Sequence, residues 1–316
     1  MAQFLLIPSS SRKLATDVKK GKRMRLIKFF LLKILVVAGG ALLLLDIAKA
    51  QTTTIMLNQN SPSTSIQAPL PETNNQTKQK KWTLGLSTTA MRNLYTEPNG
   101  KESRVGVLGF SANYEYSSLI SFSSALNTYQ SFETDRTTSI NNLPLTATLS
   151  PQEISHDLYI EGSLSFILPT NEKSRKEDTF HGALQLNSNF SWKPLKGLSI
   201  ATGVELIKNS HQYKQDIRGE QNISHSITPY LASTYKWNHV SLTVNTGFDH
   251  AYNYNNRLST SFSVGESLSI ELNKQTSFTL GHSNEASLLA ANGADSNFKF
   301  FDNKTSIVYV AINFTN

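Results

Sequence analysis

The sequence contains no cysteine in its 316 residues. This absence excludes a disulfide framework, thiolate metal sites, a cysteine nucleophile and a lipid-modified N-terminal cysteine. An exported chain of this length would therefore need a source of stability other than disulfide bonds.

The sequence also lacks an apolar run that could cross a membrane as a helix. Its main uncharged apolar run, residues 34–45, has twelve residues. At about 1.5 Å per residue, such a run is much shorter than a hydrocarbon core of about 30 Å. A retained membrane anchor is therefore the weaker interpretation of this segment.

The flanks of the same run are those of a secretory signal peptide. Basic residues precede it, and small residues follow it up to Ala50, where a signal peptidase would cleave. The sequence therefore predicts a signal peptide over residues 1–50 and a mature N-terminus at Gln51. Met24 would also make an ordinary signal-peptide start, in which case residues 1–23 would not be translated.

The positive net charge of the chain belongs to this N-terminal segment. Residues 1–50 hold ten of the 30 basic residues and two of the 23 acidic ones, which leaves 20 basic against 21 acidic residues after position 50. A nucleic-acid-binding protein needs a concentrated basic face, whereas the densest later cluster, Glu172 to Asp178, is balanced in sign. The charge pattern therefore indicates no nucleic-acid partner.

Residues 51–81 are rich in Gln, Thr, Asn, Ser and Pro and show no sustained hydrophobic periodicity. Such a composition cannot bury enough apolar surface to offset the entropy lost on ordering. The segment is predicted to be a disordered tail that leads into the folded part of the chain.

From Trp82 onward, apolar residues alternate with polar ones at a period of two. Trp82, Leu84 and Leu86 alternate with small or polar residues, and the pattern returns along the chain up to the run 308–314. Each segment therefore has one apolar and one polar face. The segments have ten to fourteen residues, which is long for sandwich strands and matches tilted strands that cross a bilayer.

The connections between the segments alternate in length, as in membrane barrels that have long external loops and short periplasmic turns. The longer connections are Thr96–Ser103, Ser131–Arg136, Pro169–Thr179, Asn209–Asn222, Ala251–Asn256 and Asn284–Asn303. The shorter ones are Ser117–Ser118, Ser150–Ser155, Pro194–Lys196, Asn238 and Asn273–Gln275. The pattern predicts twelve strands, with both ends of the barrel on the periplasmic side.

The aromatic residues favour the same architecture. Trp82, Trp192 and Trp237 all fall at strand ends on the predicted periplasmic side, with the apolar parity of their strands. A second group falls near the opposite ends, namely Tyr95, Tyr129, Phe180 and Tyr252. Two aromatic girdles at the membrane interfaces are therefore predicted. A soluble all-β protein with core tryptophans is the alternative, and it would not need the asymmetry of the loops.

In these features, residues 82–316 resemble the outer-membrane β-barrel family of Gram-negative bacteria. The terminal strand Ile307 to Phe314 is similar to the signal by which the family's barrels are recognised for insertion, although Thr315 and Asn316 follow the aromatic residue. The resemblance implies an all-β fold, a transmembrane antiparallel up-and-down barrel in the outer membrane. It also implies two kinds of partner, the outer-membrane lipids and the barrel-insertion machinery.

Two residues do not fit the alternating pattern. Pro229 would remove a hydrogen-bond donor from the middle of a strand, and Glu266 falls on the apolar face. The sequence therefore predicts a bulge near one or both, or a shifted strand boundary.

Function must come from the interior and the loops, because this fold hosts many activities. Twelve strands are expected to enclose a narrow or partly plugged pore, since eight leave room only for side chains and sixteen form an open channel. The leading hypothesis is passive diffusion of small polar solutes. The candidate pore-lining residues are Glu161, Gln185, Asn187, Glu205, Lys236, Asn245 and Asp249.

Two other functions are kept as alternatives. A surface receptor or adhesin would use the long loops Asn209–Asn222 and Asn284–Asn303, because exposed loops commonly carry binding. A lipid-hydrolysing enzyme would use His239, Ser241 and Asn253, whose order is similar to the His, Ser and Asn of outer-membrane phospholipase A. The motif residues that flank this site in that family are missing, so the chain is not expected to be an enzyme.

The sequence gives no sign of a metal or cofactor. The remaining histidines lack ligand spacing, and there is no glycine-rich phosphate loop. A metal site would need several donors that converge on one point. No cofactor is therefore expected.

Overall fold

The computed structural model describes residues 81–94, 104–132, 136–289, 295–302 and 305–316. The predicted signal peptide, and the predicted tail up to residue 80, lie outside the described residues. Within the described ranges, no helix is long and apolar enough to cross a membrane.

The described chain is almost entirely β-structure, with one short helix, α1 (Glu172–Lys176), in a loop. The strands are β1 (Trp82–Asn93), β2 (Arg104–Glu115), β3 (Ile120–Ser131), β4 (Thr138–Ile140), β5 (Leu143–Ser155), β6 (Leu158–Leu168), β7 (Phe180–Leu195), β8 (Leu198–His211), β9 (Ile223–Trp237), β10 (Val240–Asn253), β11 (Leu258–Glu271), β12 (Thr276–Ser287) and β13 (Ser306–Thr315). Apart from β4, with three residues, the strands are long, as the alternating pattern predicts, and β7 and β9 exceed the predicted range with 16 and 15 residues.

The strands close into an antiparallel barrel in which neighbours in the chain are also neighbours in space. The closing pair is β1 with β13, and β2 pairs with both β1 and β3. The short strand β4 and the long strand β5 occupy one position beside β3, because β4 pairs with Thr128 to Gln130 and β5 with Ile120 to Ser124. The barrel therefore has twelve strand positions, which confirms the predicted fold class.

The break between β4 and β5 is bridged by an asparagine. The Asn127 N–H donates to the side-chain oxygen of Asn141 at 2.7 Å, and the Asn141 N–H donates to the Asn127 carbonyl at 3.0 Å. A side chain thus replaces one rung of the ladder, as asparagine commonly does at irregular positions. The wall stays continuous although one strand is interrupted.

The apolar face of the strands points away from the barrel axis. Along β1 the exposed side chains Trp82, Leu84 and Leu86 alternate with half-buried Thr83 and Gly85. A continuous belt of exposed apolar residues is unfavourable in water. Facing hydrocarbon, it is the outer surface expected of a transmembrane barrel.

The two ends of the barrel differ. The short-turn end, defined by the connections 116–119, 156–157, 196–197, 238–239 and 272–275, also carries both ends of the described barrel chain. All three tryptophans lie at this end with exposed side chains, as predicted. The opposite end, here the long-loop end, carries the connections that follow β1, β3, β6, β8, β10 and β12.

The predicted girdle at the long-loop end is wrong for two of its residues. Tyr129 shares the interior face with Asn127, since its neighbour Thr128 pairs with the exposed Leu108. Phe180 is buried against the ring of His211, with ring centroids 5.4 Å apart. Residue type and strand-end position were therefore insufficient to predict a lipid-facing ring.

The prediction of a turn over Ser150–Ser155 is also wrong. Strand β5 runs through Ser155, with register shifts between Leu149 and Gln152 and between Glu153 and Ser155. The turn lies at His156 and Asp157, where Asp157 has a φ of 61°. Bulges let this strand continue through a proline-containing stretch that resembles a turn in sequence.

Neither Pro229 nor Glu266 produces the predicted bulge. The register between β8 and β9 is continuous through the pair Val204 and Pro229. The register of β11 is continuous through Glu266 on both sides, opposite Val244 and His282. Pro229 therefore removes a ladder donor without displacing its neighbours, and Glu266 remains on the outer face with its carboxylate bonded to His282.

Candidate functional site

The candidate site is the polar interior of the barrel. Its seven predicted residues lie on five adjacent strands: Glu161 on β6, Gln185 and Asn187 on β7, Glu205 on β8, Lys236 on β9, and Asn245 and Asp249 on β10. The structure places all seven on the face opposite the exposed apolar side chains. Their role in lining a solute pathway stays a prediction.

Hydrogen bonds connect several of these groups to side chains on neighbouring strands. Glu205 is only 3% exposed, and its carboxylate accepts a hydrogen bond from the Gln185 amide at 2.6 Å. One strand further, the Thr228 hydroxyl donates to the Asp249 carboxylate at 2.7 Å. Charge-assisted hydrogen bonds of this kind are short and strong, so the carboxylates are held against the wall at fixed positions.

Two tyrosines lie flat on the interior wall over glycines. Tyr230 pairs directly with Gly203 across β8 and β9, and Tyr309 pairs with Gly281 across β12 and β13. A side chain at either glycine would overlap the tyrosine, since a Cβ on Gly203 would lie 2.5 Å from the Tyr230 hydroxyl oxygen. The Tyr230 hydroxyl donates to the Asn187 side-chain oxygen at 3.0 Å. The glycines therefore let both rings lie along the wall rather than across the lumen.

The sequence-based list of interior residues missed two carboxylates. Glu271 forms an ion pair with Lys236 at 2.6 Å near the short-turn end, and Glu285 shares the interior face of β12 with Ser283. The signal for Glu271 was the strand parity, because it follows Ile270 of the apolar face. Glu285 fell within the predicted loop Asn284–Asn303, whereas β12 runs to Ser287. With these two, carboxylates outnumber basic side chains on the interior face of β6 to β12. The basic side chains there are Lys236, at an interior position, and Lys193, at a bulge.

The facing part of the wall is almost neutral. Interior positions on the described parts of β1, β2, β3 and β13 carry hydroxyls, amides and small or apolar side chains, and their single charged residue is Glu115 at the short-turn end. The acidic wall of β6 to β12 therefore faces a wall without basic groups. Such an arrangement gives the interior a negative field.

The residues of the enzyme alternative are not brought together. His239 lies in the exposed turn between β9 and β10, with Nδ1 3.9 Å from a Glu271 carboxylate oxygen. Ser241 is the second residue of β10 and Asn253 is the last. A strand rises about 3.3 Å per residue, so the asparagine lies about 40 Å from the serine and cannot orient a histidine beside it.

The long loops after β6 and β8 interlock at the rim. The Gln212 N–H donates to the Thr179 carbonyl at 2.8 Å, and the Asn222 amide donates to the Asp178 carbonyl at 2.9 Å. Arg218 reaches a Glu177 carboxylate oxygen at 3.2 Å. Burial raises the pKa of Asp178, against the opposing effect of Lys173. These two loops therefore form one ordered surface at the long-loop end.

The loop after β6 is also tied to the interrupted strand beside it. Asn171 caps helix α1 by accepting a hydrogen bond from the Ser174 N–H at 3.0 Å, and its amide donates to the Ile140 carbonyl at 2.6 Å.

The predicted start of the loop after β8 is wrong by three residues. This loop begins at Gln212 rather than at Asn209, because Asn209 to His211 belong to β8.

Two solved structures resemble the chain over most of its length. One is an outer membrane channel from Pseudomonas putida F1, with a TM-score of 0.56, 12% identity, and coverage of 78% of this chain and 100% of that one. The other is the NanC porin, with a TM-score of 0.50, 9% identity, and coverage of 73% and 98%. No protein-family model and no curated protein matches the sequence. The chain has the β-barrel fold of outer-membrane channels.

Proposed function

We propose that the barrel is a channel for passive diffusion of small polar solutes across the outer membrane. The observation that carries this proposal is the composition of its interior, where hydroxyls, amides and carboxylates line a closed wall of twelve strand positions. A wall of this size encloses more space than an eight-stranded barrel, whose side chains fill it. The channel fold of the two similar structures supports the proposal.

The same proposal includes an orientation. Bacterial barrels have short turns on the periplasmic side and long loops outside, so the short-turn end, with both ends of the barrel chain, would face the periplasm. The strand β13 would present its outward Phe314 to the insertion machinery from that side. No catalytic activity is assigned to His239, Ser241 or Asn253.

Purified protein inserted into a planar bilayer is expected to give stepwise conductance with a preference for cations. Carboxylates at the pore wall favour cations, so Glu161→Gln and Asp249→Asn should shift the reversal potential in a salt gradient toward the non-selective value. Glu172→Gln is the matched control, because Glu172 lies in the exposed helix α1 of a loop and its loss should change selectivity much less.

The channel hypothesis fails if a correctly folded barrel carries no current, even after the loops that begin at Gln212 and Leu288 have been shortened to remove plugs. Conductance that is indifferent to Glu161 and Asp249 would leave a channel but reject these residues as part of its lining.

A receptor or adhesin is the second candidate, and the interlocked loops after β6 and β8 favour it. Binding surfaces gain affinity when their conformation is fixed before binding. Deleting the Arg218 to Glu177 contact would then weaken ligand or surface binding while leaving conductance unchanged.

The enzyme alternative would be supported if the protein hydrolysed lipid and Ser241→Ala abolished that activity.

A further inference from the structure

The described part of the last long loop folds back against the barrel wall. Residues 295–302, here called the outer flap, lie against the outer face of β10 to β12. The ring of Phe298 is 4.8 Å from that of Phe262 and 6.3 Å from that of Phe248. The ring of Phe301 stacks on His282 at 4.2 Å. The contacted side chains all have the outward parity of the exposed Leu268 and Leu280.

The flap covers a small apolar cluster on the outside of the wall. Phe262 is 1% exposed, and Val264 and Ala286 are also buried, with Leu288 packed against them. Outward residues away from the flap, such as Leu186 and Leu231, are exposed. The segment is therefore packed on the wall rather than resting loosely beside it.

The flap also covers polar groups that would otherwise face hydrocarbon. Glu266 and His282 lie opposite each other on this outer face, with a carboxylate oxygen 2.8 Å from the imidazole Nδ1. Asn284 is 1% exposed; its amide donates to the Lys299 carbonyl at 2.6 Å, and its oxygen accepts from the Thr305 hydroxyl at 2.5 Å. Ionisable residues in contact with lipid are costly. The flap supplies Asn284 with a hydrogen bond that hydrocarbon cannot, and it covers His282 through the ring of Phe301.

The outer surface of the flap is apolar in turn. Phe298, Phe300 and Phe301 remain exposed, Phe301 to 57%. This surface continues the lipid-facing belt, because Phe298 lies beside the exposed Phe248 of β10. Lys299 is paired with Asp302 at 2.7 Å, so the charge between these aromatic side chains is compensated.

We propose that the outer flap is a lipid contact: its three phenylalanines face the acyl chains of the bilayer, and Phe300 and Phe301 shield His282, the partner of Glu266, from them. The proposal rests on the membrane-spanning placement of the barrel. It assigns part of the last loop to the membrane side, whereas the receptor alternative needs that loop exposed to water.

A single-tryptophan reporter tests this assignment. The full-length barrel carrying Trp82→Phe, Trp192→Phe and Trp237→Phe receives Phe301→Trp, a change that keeps an aromatic ring over His282. It is reconstituted into phosphatidylcholine vesicles with or without brominated acyl chains, which quench tryptophan on contact. Phe300→Trp is the second reporter, in case the first disturbs folding.

Two controls in the same background define the limits. The first control is Leu280→Trp, because Leu280 belongs to the exposed apolar belt of β12 outside the flap. Its fluorescence should fall in brominated vesicles. Ile217→Trp lies exposed in the loop after β8 and should respond to aqueous acrylamide instead. We expect Phe301→Trp to lose fluorescence in brominated lipid to an extent close to that of Leu280→Trp, with little response to acrylamide.

Three outcomes would overturn the proposal. Quenching of Phe301→Trp by acrylamide alone would place the flap in water. Shielding from both quenchers would indicate contact with another copy of the chain, which cross-linking would then reveal. Failure of brominated lipid to quench even Leu280→Trp would reject the membrane placement itself and, with it, the proposed channel.

Discussion

Leu186→Arg is expected to lower the free energy of unfolding in a bilayer by about 2–4 kcal/mol, the cost typical of a cation near the midplane on the lipid face. Leu186 lies near the middle of β7 with its side chain exposed, and its partners across both neighbouring strands are the exposed Leu164 and Leu206. No carboxylate of the outer face lies among these partners. Urea unfolding of the barrel in lipid vesicles, followed by tryptophan fluorescence, measures the loss.

The matched control is the next residue. Asn187→Arg turns the same charge inward, toward Glu205, its partner on β8, so its cost should be much smaller although the bond from Tyr230 is lost. Equal losses at both positions would contradict the assignment of the two faces. Val244 is a poorer site for this test, because Glu266 lies opposite it and could pair with the new arginine.

The twelve-strand architecture could be predicted from sequence because one constraint dominates it. In hydrocarbon every backbone group must be paired, which leaves strands only the closed barrel. Once Trp82, Leu84 and Leu86 revealed a period of two with an apolar outer face, the alternation of loop lengths was enough to order the strands. The interior position of Glu161 and Glu205 followed from the same parity.

Strand details could not be predicted in the same way. The Ser150–Ser155 stretch contains a proline and small polar residues that favour turns, yet pairing with β6 holds it in the strand. Pro229 interrupts the pairing of β9 with β10 next to Tyr230, but the register is kept, because the pairing with β8 is continuous. Local propensity was overridden in both cases by contacts with neighbouring strands.

Glu266 shows the limit most clearly. Its position in the alternating pattern places a charged residue on the lipid-facing side of β11. The sequence of β11 does not show which groups contact this carboxylate. The answer lies in His282 on the next strand and in the flap residue Phe301, which stacks on that histidine. A loop that folds back over a wall leaves no periodicity of its own. Such contacts therefore become visible only in the structure.

Strand parity also could not predict the shape of the interior. The sequence places Tyr230 and Tyr309 on the polar face but gives no indication of how far their rings reach into the lumen. That depends on which residue lies directly opposite, and in both pairs it is glycine. Strand parity fixes the face of each residue but not which residue lies opposite it, because a register shift of two residues leaves both faces unchanged.

Gly281→Val is accordingly expected to destabilise the barrel by about 1–3 kcal/mol, the usual cost of inserting carbon into filled space. A Cβ at this position would meet the ring of Tyr309 and no backbone atom among its nearest contacts. The ring can relieve the overlap only by turning away from the wall into the lumen. Unfolding in vesicles measures the stability, and single-channel recording measures the accompanying fall in conductance expected if the barrel is a channel.

Removing the ring separates this effect from a general defect. Gly281→Val combined with Tyr309→Ala should lose less stability than the sum of the two single changes and recover conductance, because the overlap is gone. The same rescue should fail at Gly203, where a Cβ would also collide with the Ser188 carbonyl of the neighbouring strand, so that Tyr230→Ala relieves only part of the clash. If Tyr309→Ala gave no rescue at Gly281, the tyrosine would not be what the glycine accommodates.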